Sequence, residues 1–340
     1  MLMAFLERHG RIISLSGLTL ILILAIYVRL PAFYFEAKGF DTYFVWLDGK
    51  RIAEGENPYA RILSGDMIHN DKYATRLPLV YLMAALIIRT GSGDYESFLS
   101  IWRIFILFFD LAVGLYIFQK AAGKGSLLLG LFLIFTWFFA RWGLYTWEIA
   151  NSEPFMLFML ILALEYWDEK PVLAGILFGV SLSMKHIGVL FLPVMLAASG
   201  NWKEAARRLG YVAIFPLVIS IPFFIWGPYA YIKSLLFSGV RDGNSHLLSD
   251  SKSIMLLFGS YGIKSRIIPM LAFIIFWAAA LKEKWNKWLL ACLAFYLFIS
   301  FNPVLFTQYF VWMLPFLLIY LIERGDEGNK NVSKTSHTAA

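Results

Sequence analysis

The chain has 340 residues, of which 59% are hydrophobic, 18% aromatic and only 16% charged. A soluble domain carries about 25% charged residues, so this composition excludes an ordinary water-soluble protein and points to a polytopic membrane protein. The formal charge of +7 fits basic clusters kept in cytoplasmic loops better than a nucleic-acid partner, and the single cysteine, Cys292, excludes an intramolecular disulfide or a multi-thiolate metal site.

Taken in order, apolar runs predict membrane helices at about residues 12–30, 98–118, 127–142, 154–166, 171–184, 187–198, 209–226, 267–281, 288–301 and 305–322. The first is too long for a signal-peptide core and has no small-residue cleavage site, so it is expected to stay as a span. A further apolar stretch, 77–88, is flanked by Arg76 and Arg89 and reads as a re-entrant or surface helix.

Loop charges decide how that stretch is placed. With it outside and the N-terminus inside, Arg8 and Arg11, Lys120 and Lys124, Lys170, Lys203 with Arg207 and Arg208, and Lys282 with Lys284 and Lys287 share the cytoplasmic side. A crossing at 77–88 would scatter them to both faces, against the positive-inside tendency. The expected fold is therefore all-α: a polytopic bundle of about ten spans forming one domain over 1–324, with a cytoplasmic tail over 325–340.

Two long segments then lie outside, 31–97 and 227–266, and long loops in a compact protein are usually functional. Within the first, residues 42–54 read as a juxtamembrane helix with Tyr43, Phe44 and Leu47 on one face, stopped by Gly55 before an Asn57-Pro58 turn. The Asn331-Val332-Ser333 sequon falls on the inner side, where no glycan is expected. No internal repeat or pair of broken helices suggests a transporter.

Candidate chemistry gathers on the outer side. Asp41 opens the juxtamembrane helix and is either a general base near the membrane surface or a helix cap. Lys185-His186 interrupts an otherwise apolar stretch, as a phosphate-binding pair or as a lysine snorkelling to the interface. The loop after the third predicted span offers Glu148, Asn151 and Glu153 among Trp142, Tyr145 and Trp147, either a sugar site or an aromatic belt with solvated acids. Gln308, Tyr309 and Trp312 open the last span and are suited to ligand hydrogen bonds or to the same belt. Arg103 and Asp110, about two turns apart in one span, read as structural. Phosphate-loop, His-Glu-x-x-His and Gly-x-Ser-x-Gly motifs are absent from the sequence.

Three stretches resemble the GT-C glycosyltransferases, integral-membrane enzymes that take sugars from polyprenyl-phosphate carriers. They are Gly39-Phe40-Asp41 through Asp48 to Gly55-Glu56-Asn57-Pro58-Tyr59-Ala60-Arg61, then Arg76-Leu77-Pro78-Leu79-Val80-Tyr81, and Gln308-Tyr309-Phe310-Val311-Trp312. The last is similar to the Gln-Tyr-Phe-x-Trp of the GPI mannosyltransferase I branch. Ser183-Met184-Lys185-His186 resembles that group's lysine-containing outer hairpin. The chain departs from the branch's Asp-x-Asp in having one acid, Asp41, at that point.

The resemblance implies transfer of a hexose, mannose by preference, from a polyprenyl- or dolichyl-phosphate donor to a lipid-linked or glycan acceptor, with inversion, on the non-cytoplasmic face. It implies Asp41 as the base; Lys185 and His186, with Arg61, Arg76 and Arg241, at the donor phosphate; and Asp48, Tyr59, Glu148, Asn151, Glu153, Gln308, Tyr309 and Trp312 around sugar or acceptor. It leaves room for a divalent cation, magnesium or manganese, without assigning ligands. The absence of disulfide chemistry favours a prokaryotic plasma membrane over the endoplasmic reticulum. A transporter or flippase, or an O-antigen ligase or polymerase, is the alternative.

Overall fold

The computed structural model describes residues 2–37, 40–64, 73–240, 266–302 and 306–325, and every regular element among them is helical. Helix α1 (Leu2–Tyr27) continues into a 3₁₀ turn at Leu30–Tyr34, whose second residue is Pro31. The segment that follows folds into α2 (Asp41–Glu54), a 3₁₀ turn at Pro58–Ser64, and α3 (Leu79–Arg89). Gly55 ends α2 in the left-handed conformation (φ 84°) and donates its N–H to the carbonyls of Arg51 and Ile52.

Helices α2 and α3 lie in close contact. A Cβ on Gly49 would stand 2.5 Å from that of Ala84, so only glycine permits this approach. At 11 residues α3 is about 17 Å long, short of a hydrocarbon core of about 30 Å. The row of α2 that packs most deeply is not the aromatic face. Thr42, Val45, Asp48 and Gly49 are buried, whereas Tyr43, Phe44 and Leu47 are half-exposed, because α3 and the Ile149–Ala150 turn cover the former row.

Helix α4 (Tyr95–Gly123) opens with Asp94 accepting the Ser97 N–H at 2.9 Å. Helix α5 (Leu127–Phe139) bends by 44° into α6 (Arg141–Glu148). Helix α7 (Glu153–Glu165) is covered on nearly every side and runs through the core, followed by α8 (Pro171–Met184), the 3₁₀ turn His186–Leu190 and the short α9 (Leu192–Ala197). Next come α10 (Trp202–Trp226), α11 (Pro228–Val240), α12 (Ile267–Lys282) and α13 (Lys287–Phe301). The 3₁₀ turn Thr307–Val311 leads into α14 at 314–325.

Three stretches are long and apolar enough to cross a membrane: Ser14–Tyr34, Tyr95–Gly123 and Trp202–Trp226. The bent α5–α6 pair makes a fourth if it is one span. The remaining apolar runs are not single long helices. The 187–198 run breaks into a 3₁₀ turn and a six-residue helix, and 305–322 opens on another 3₁₀ turn. Prolines such as Pro193 set these breaks by removing a backbone donor.

Small residues close the bundle. Cβ atoms on Gly175 and Gly179 would meet Tyr211 Cβ and the Val212 carbonyl, each at 2.4 Å. Pro216, one turn later in α10, lacks the N–H that would pair with that carbonyl, and the bare Gly179 backbone packs against it.

Arg103 and Asp110 are both buried in α4, and each turns to a different neighbour. Asp110 pairs with Arg29 at 2.8 Å, while Arg103 donates to the carbonyls of Phe35 (2.7 Å) and Glu148 (3.1 Å). Arg29 also donates to the carbonyls of Ala25 and Phe138 and lies 5.4 Å from the Phe138 ring centroid. These contacts tie α1, α4 and α5 together in apolar surroundings, where an unpaired charge is costly.

Candidate active site

Asp41 is the first residue of α2, and Phe40 before it is extended and makes no side-chain cap. The carboxylate does not cap its own helix. It pairs with the Arg76 guanidinium at 2.8 Å, with the acid 29% and the arginine 13% exposed. Arg76 is fixed by two buried tyrosines: Tyr59 Oη donates to its carbonyl at 2.8 Å, and its N–H donates to Tyr81 Oη at 3.2 Å.

Beside Asp41, Thr42 is buried and donates to the carbonyls of Ala150 (2.6 Å) and Ile149 (3.2 Å). Trp102 Nε1 donates to the same Ala150 carbonyl at 3.1 Å. Ala150 is held at φ 55°, an uncommon conformation for a residue with a Cβ. This strained turn leads directly to Glu153 at the start of α7, so the origins of α2 and α7 are locked side by side.

Glu153 is fully buried and pairs with Lys185 Nζ at 2.6 Å. Lys185 follows the last residue of α8 with extended backbone (φ −157°), where the chain turns into the His186–Leu190 loop. Its ammonium lies 4.8 Å from the Trp312 ring and 5.7 Å from that of Tyr309. Those rings lie 4.3 Å apart, tilted by 32°, at the turn that also buries Gln308.

The two ion pairs form one electrostatic group. Lys185 is within reach of Asp41 and Arg76, Arg76 of Glu153 and Tyr309, and His186 of Arg76 and Lys185. Arg76 and Lys185 are partly exposed and His186 is exposed, so this group of charges borders accessible space, the cleft of the candidate site. Burial, and then the Arg76 and Lys185 cations, hold His186 below its usual 6.5, so it stands neutral at pH 7. Burial also lowers the Lys185 ammonium, with Glu153 opposing that shift. Glu153 Oε2 and Trp312 Nε1, on either side of Lys185, are buried without hydrogen-bond partners among the described residues.

Other sequence-predicted residues stand elsewhere. Asp48 is buried behind the cleft, paired with Arg51 (2.8 Å) and Arg61 (3.5 Å). Burial pushes its pKa up to about 6, the two arginines pulling the other way. Arg61 also lies over the Tyr73 ring, at 5.8 Å. Tyr59 is fully buried. Asp48 and Tyr59 thus support the cleft from behind and offer no free surface to a sugar. Asn151 is buried with one amide atom on the Ser152 N–H, whereas Glu148 is exposed on a different groove. Arg241 lies outside the described residues.

Sequence reading missed Arg29 and the clamp role of Tyr81. The only signal for Arg29 was a charge at the end of a span. The two carboxylates of the cleft, Asp41 and Glu153, are each paired with a cation rather than with each other. Among the described residues, no three His, Cys, Asp or Glu side chains converge as metal ligands.

With this geometry in view, the whole chain can be set beside known proteins. It is 24% identical over 333 residues to GPI mannosyltransferase 1 of Kluyveromyces lactis, covering 90% of this chain and 78% of that one. It is 23% identical over 304 residues to GPI mannosyltransferase 1 of Saccharomyces cerevisiae, covering 82% and 71%. Over most of its length the chain is thus similar to proteins named GPI mannosyltransferase 1, which supports a glycosyltransferase. No family model and no solved structure matches it. The glycosyltransferase class expected from the sequence agrees with the names of these relatives, and the apolar helices make it an integral membrane protein. Both relatives are yeast proteins, which lends no support to the prokaryotic plasma membrane expected above.

Proposed function

We propose that this protein transfers mannose, with inversion, from a polyprenyl- or dolichyl-phosphate carrier to a lipid-linked glycan on the non-cytoplasmic face, within a GT-C fold of about ten spans. The observation that carries the reading is the meeting of Asp41–Arg76 with Lys185–Glu153 in one cleft. The names of the relatives favour mannose and a glycolipid acceptor, and loop charge favours the outer face.

Inverting transfer needs a base for the acceptor hydroxyl and cations for the departing phosphate. Asp41 takes the hydroxyl proton. The acceptor oxygen bonds to the anomeric carbon as the bond from that carbon to the phosphate oxygen breaks, its electron pair staying on the phosphate. Arg76 and Lys185 stabilise that charge, and neutral His186 adds a hydrogen bond.

The resting Asp41–Arg76 pair gives the sequence of events a physical basis. A bound phosphate competes with Asp41 for the guanidinium and frees the carboxylate to act as base, so donor binding exposes the base. A transporter would need a charged path through the spans. Among the described residues, the charges of the first two spans are closed against protein: Arg29 on Asp110, and Arg103 on two carbonyls.

The test is an assay in detergent with radiolabelled polyprenyl-phosphate mannose, polyprenyl-phosphate glucose and host lipid extract. Wild type should move label from the mannose donor, and folded Asp41→Asn should not. Equal transfer by both would remove Asp41 as the base, and no consumption of any donor would remove the transferase reading.

A further inference from the structure

Arg76 stands in a stretch, residues 73–77, that belongs to no helix. A backbone of that kind has no ladder of its own, so its polar groups must find partners elsewhere in the fold. Tyr59 and Tyr81, from the elements on either side of the stretch, hold the Arg76 carbonyl and N–H. A third holder comes from far along the chain. Ser234 of α11, fully buried, donates to the Ala74 carbonyl at 2.6 Å, only two residues before Arg76.

Ser234 does not act alone. Tyr231, Ser234 and Phe237 follow one another at a spacing of three, so they share one face of α11. The Tyr231 ring meets that of Tyr59 edge-on at 4.8 Å, and Phe237 meets Tyr73 at 5.4 Å. Ala230 closes a small apolar cluster with Ile62 and Tyr73. Helix α11 therefore grips the stretch at Tyr73 and Ala74, and it also packs on the tyrosine whose hydroxyl holds the Arg76 carbonyl. The opposite face of α11, with Ile232 and Leu236, is exposed.

The chain break before α11 sets its seat. Pro228 has no N–H to continue the ladder of α10. A Cβ on Gly227 would stand 3.2 Å from Asn57 Nδ2, so the break rests against the Asn57-Pro58 turn. Tyr231 Oη donates to Ser220 Oγ of α10 at 2.7 Å, and Phe223 of α10 packs on the Tyr59 ring at 5.6 Å. The end of α10 and the start of α11 thus enclose Tyr59 together.

We propose that α11 is a brace for the donor site: Ser234 and Tyr231 are positioning residues that fix the Arg76 backbone, and through it the guanidinium that receives the donor phosphate. Neither residue touches substrate. The brace rests on the contacts of α11; its bearing on the phosphate rests on the proposed role of Arg76. A guanidinium that must meet both Asp41 and a phosphate tolerates little displacement of its backbone.

The experiment pairs hydrogen–deuterium exchange of the purified protein in detergent with initial rates at varied polyprenyl-phosphate mannose. Ser234→Ala deletes the hydroxyl and little volume, leaving the buried Ala74 carbonyl without that donor. It should speed exchange over residues 73–78 and raise the donor KM by about fivefold or more, with a smaller fall in kcat. Tyr231→Phe, a milder variant that keeps the ring on Tyr59 and loses the bond to Ser220, should move both readings the same way by less. In an Arg76→Gln background, Ser234→Ala should no longer raise the donor KM, whereas a general loss of stability would act in both backgrounds. Ile232→Ala, on the exposed face, should change neither reading. If the folded variants exchange as wild type does, or exchange faster while the donor KM of an active enzyme stays put, the brace is overturned. If exchange speeds up but wild type consumes no donor, the brace stands as a contact, and its bearing on the phosphate falls with the transferase reading.

Discussion

The Asp41 carboxylate and the Arg76 guanidinium, 35 residues apart in sequence, meet at 2.8 Å at the mouth of the cleft. As the proposed base, Asp41 is masked until something draws the arginine away. Asp41→Asn keeps the shape but cannot accept a proton. Transfer should fall by about 10²–10⁴-fold, with the KM for the donor little changed. Arg76→Lys keeps the charge but loses the planar fork, so the donor KM should rise more than kcat falls. Initial rates at varied donor concentration separate the two.

Glu153 and Lys185 should behave as a unit. Removing one partner of a buried pair strands the other charge, at a cost of about 3–5 kcal/mol. Glu153→Ala should therefore unfold at markedly lower temperature in detergent. The double variant Glu153→Gln with Lys185→Met should recover most of that loss while remaining inactive. Thermal unfolding monitored alongside activity distinguishes stability from function.

Asp48 sets a pH dependence of stability. Burial raises its folded pKa to about 6 against an ordinary 3.8, so between these values the folded state holds a proton that the unfolded state has released. Stability from this group is therefore greatest at low pH and declines as pH rises towards and through 6. The full effect is at most about 3 kcal/mol. Asp48→Asn should flatten that slope between pH 4 and 7, measured by unfolding at a series of pH values.

The two tyrosines behind Arg76 act through its backbone. Tyr59→Phe and Tyr81→Phe each delete one hydroxyl bond to that residue while keeping the aromatic packing. Each should cost about 1 kcal/mol of stability. They should also raise the donor KM, through a looser Arg76, without changing the pH profile that Asp41 sets. A variant that lost stability alone would show the clamp to be structural only.

Much of this protein was legible from residue order. Lipid imposes long apolar runs, so composition and hydropathy gave the membrane class, the all-helical fold and a short apolar helix near 77–88. Gly55 and Asn57-Pro58 ended α2 where local turn chemistry requires, because these signals act over a few residues. Asp41, Lys185-His186 and the Gln308–Trp312 stretch stood out because polar groups in apolar surroundings are costly and need a reason.

Partnership was a different matter. Nothing in the order of residues said that Arg76 would take Asp41, that Glu153 would lie fully buried beneath Lys185, or that Arg29 would claim Asp110. These contacts join elements distant in sequence, and they form only where packing brings helix ends together, as Thr42 and the Ala150 turn do for α2 and α7. The same holds for α2: periodicity set Tyr43, Phe44 and Leu47 on one face and did not say that Thr42, Val45, Asp48 and Gly49 would be the buried row. A short helix rich in aromatic residues has several apolar faces, and the one that is buried was chosen by the fit of Gly49 against Ala84. The sequence by itself determined which residues had to leave water and which could not do so alone; the tertiary structure decided which of them met, because a buried charge takes whatever partner the packed helices bring within reach.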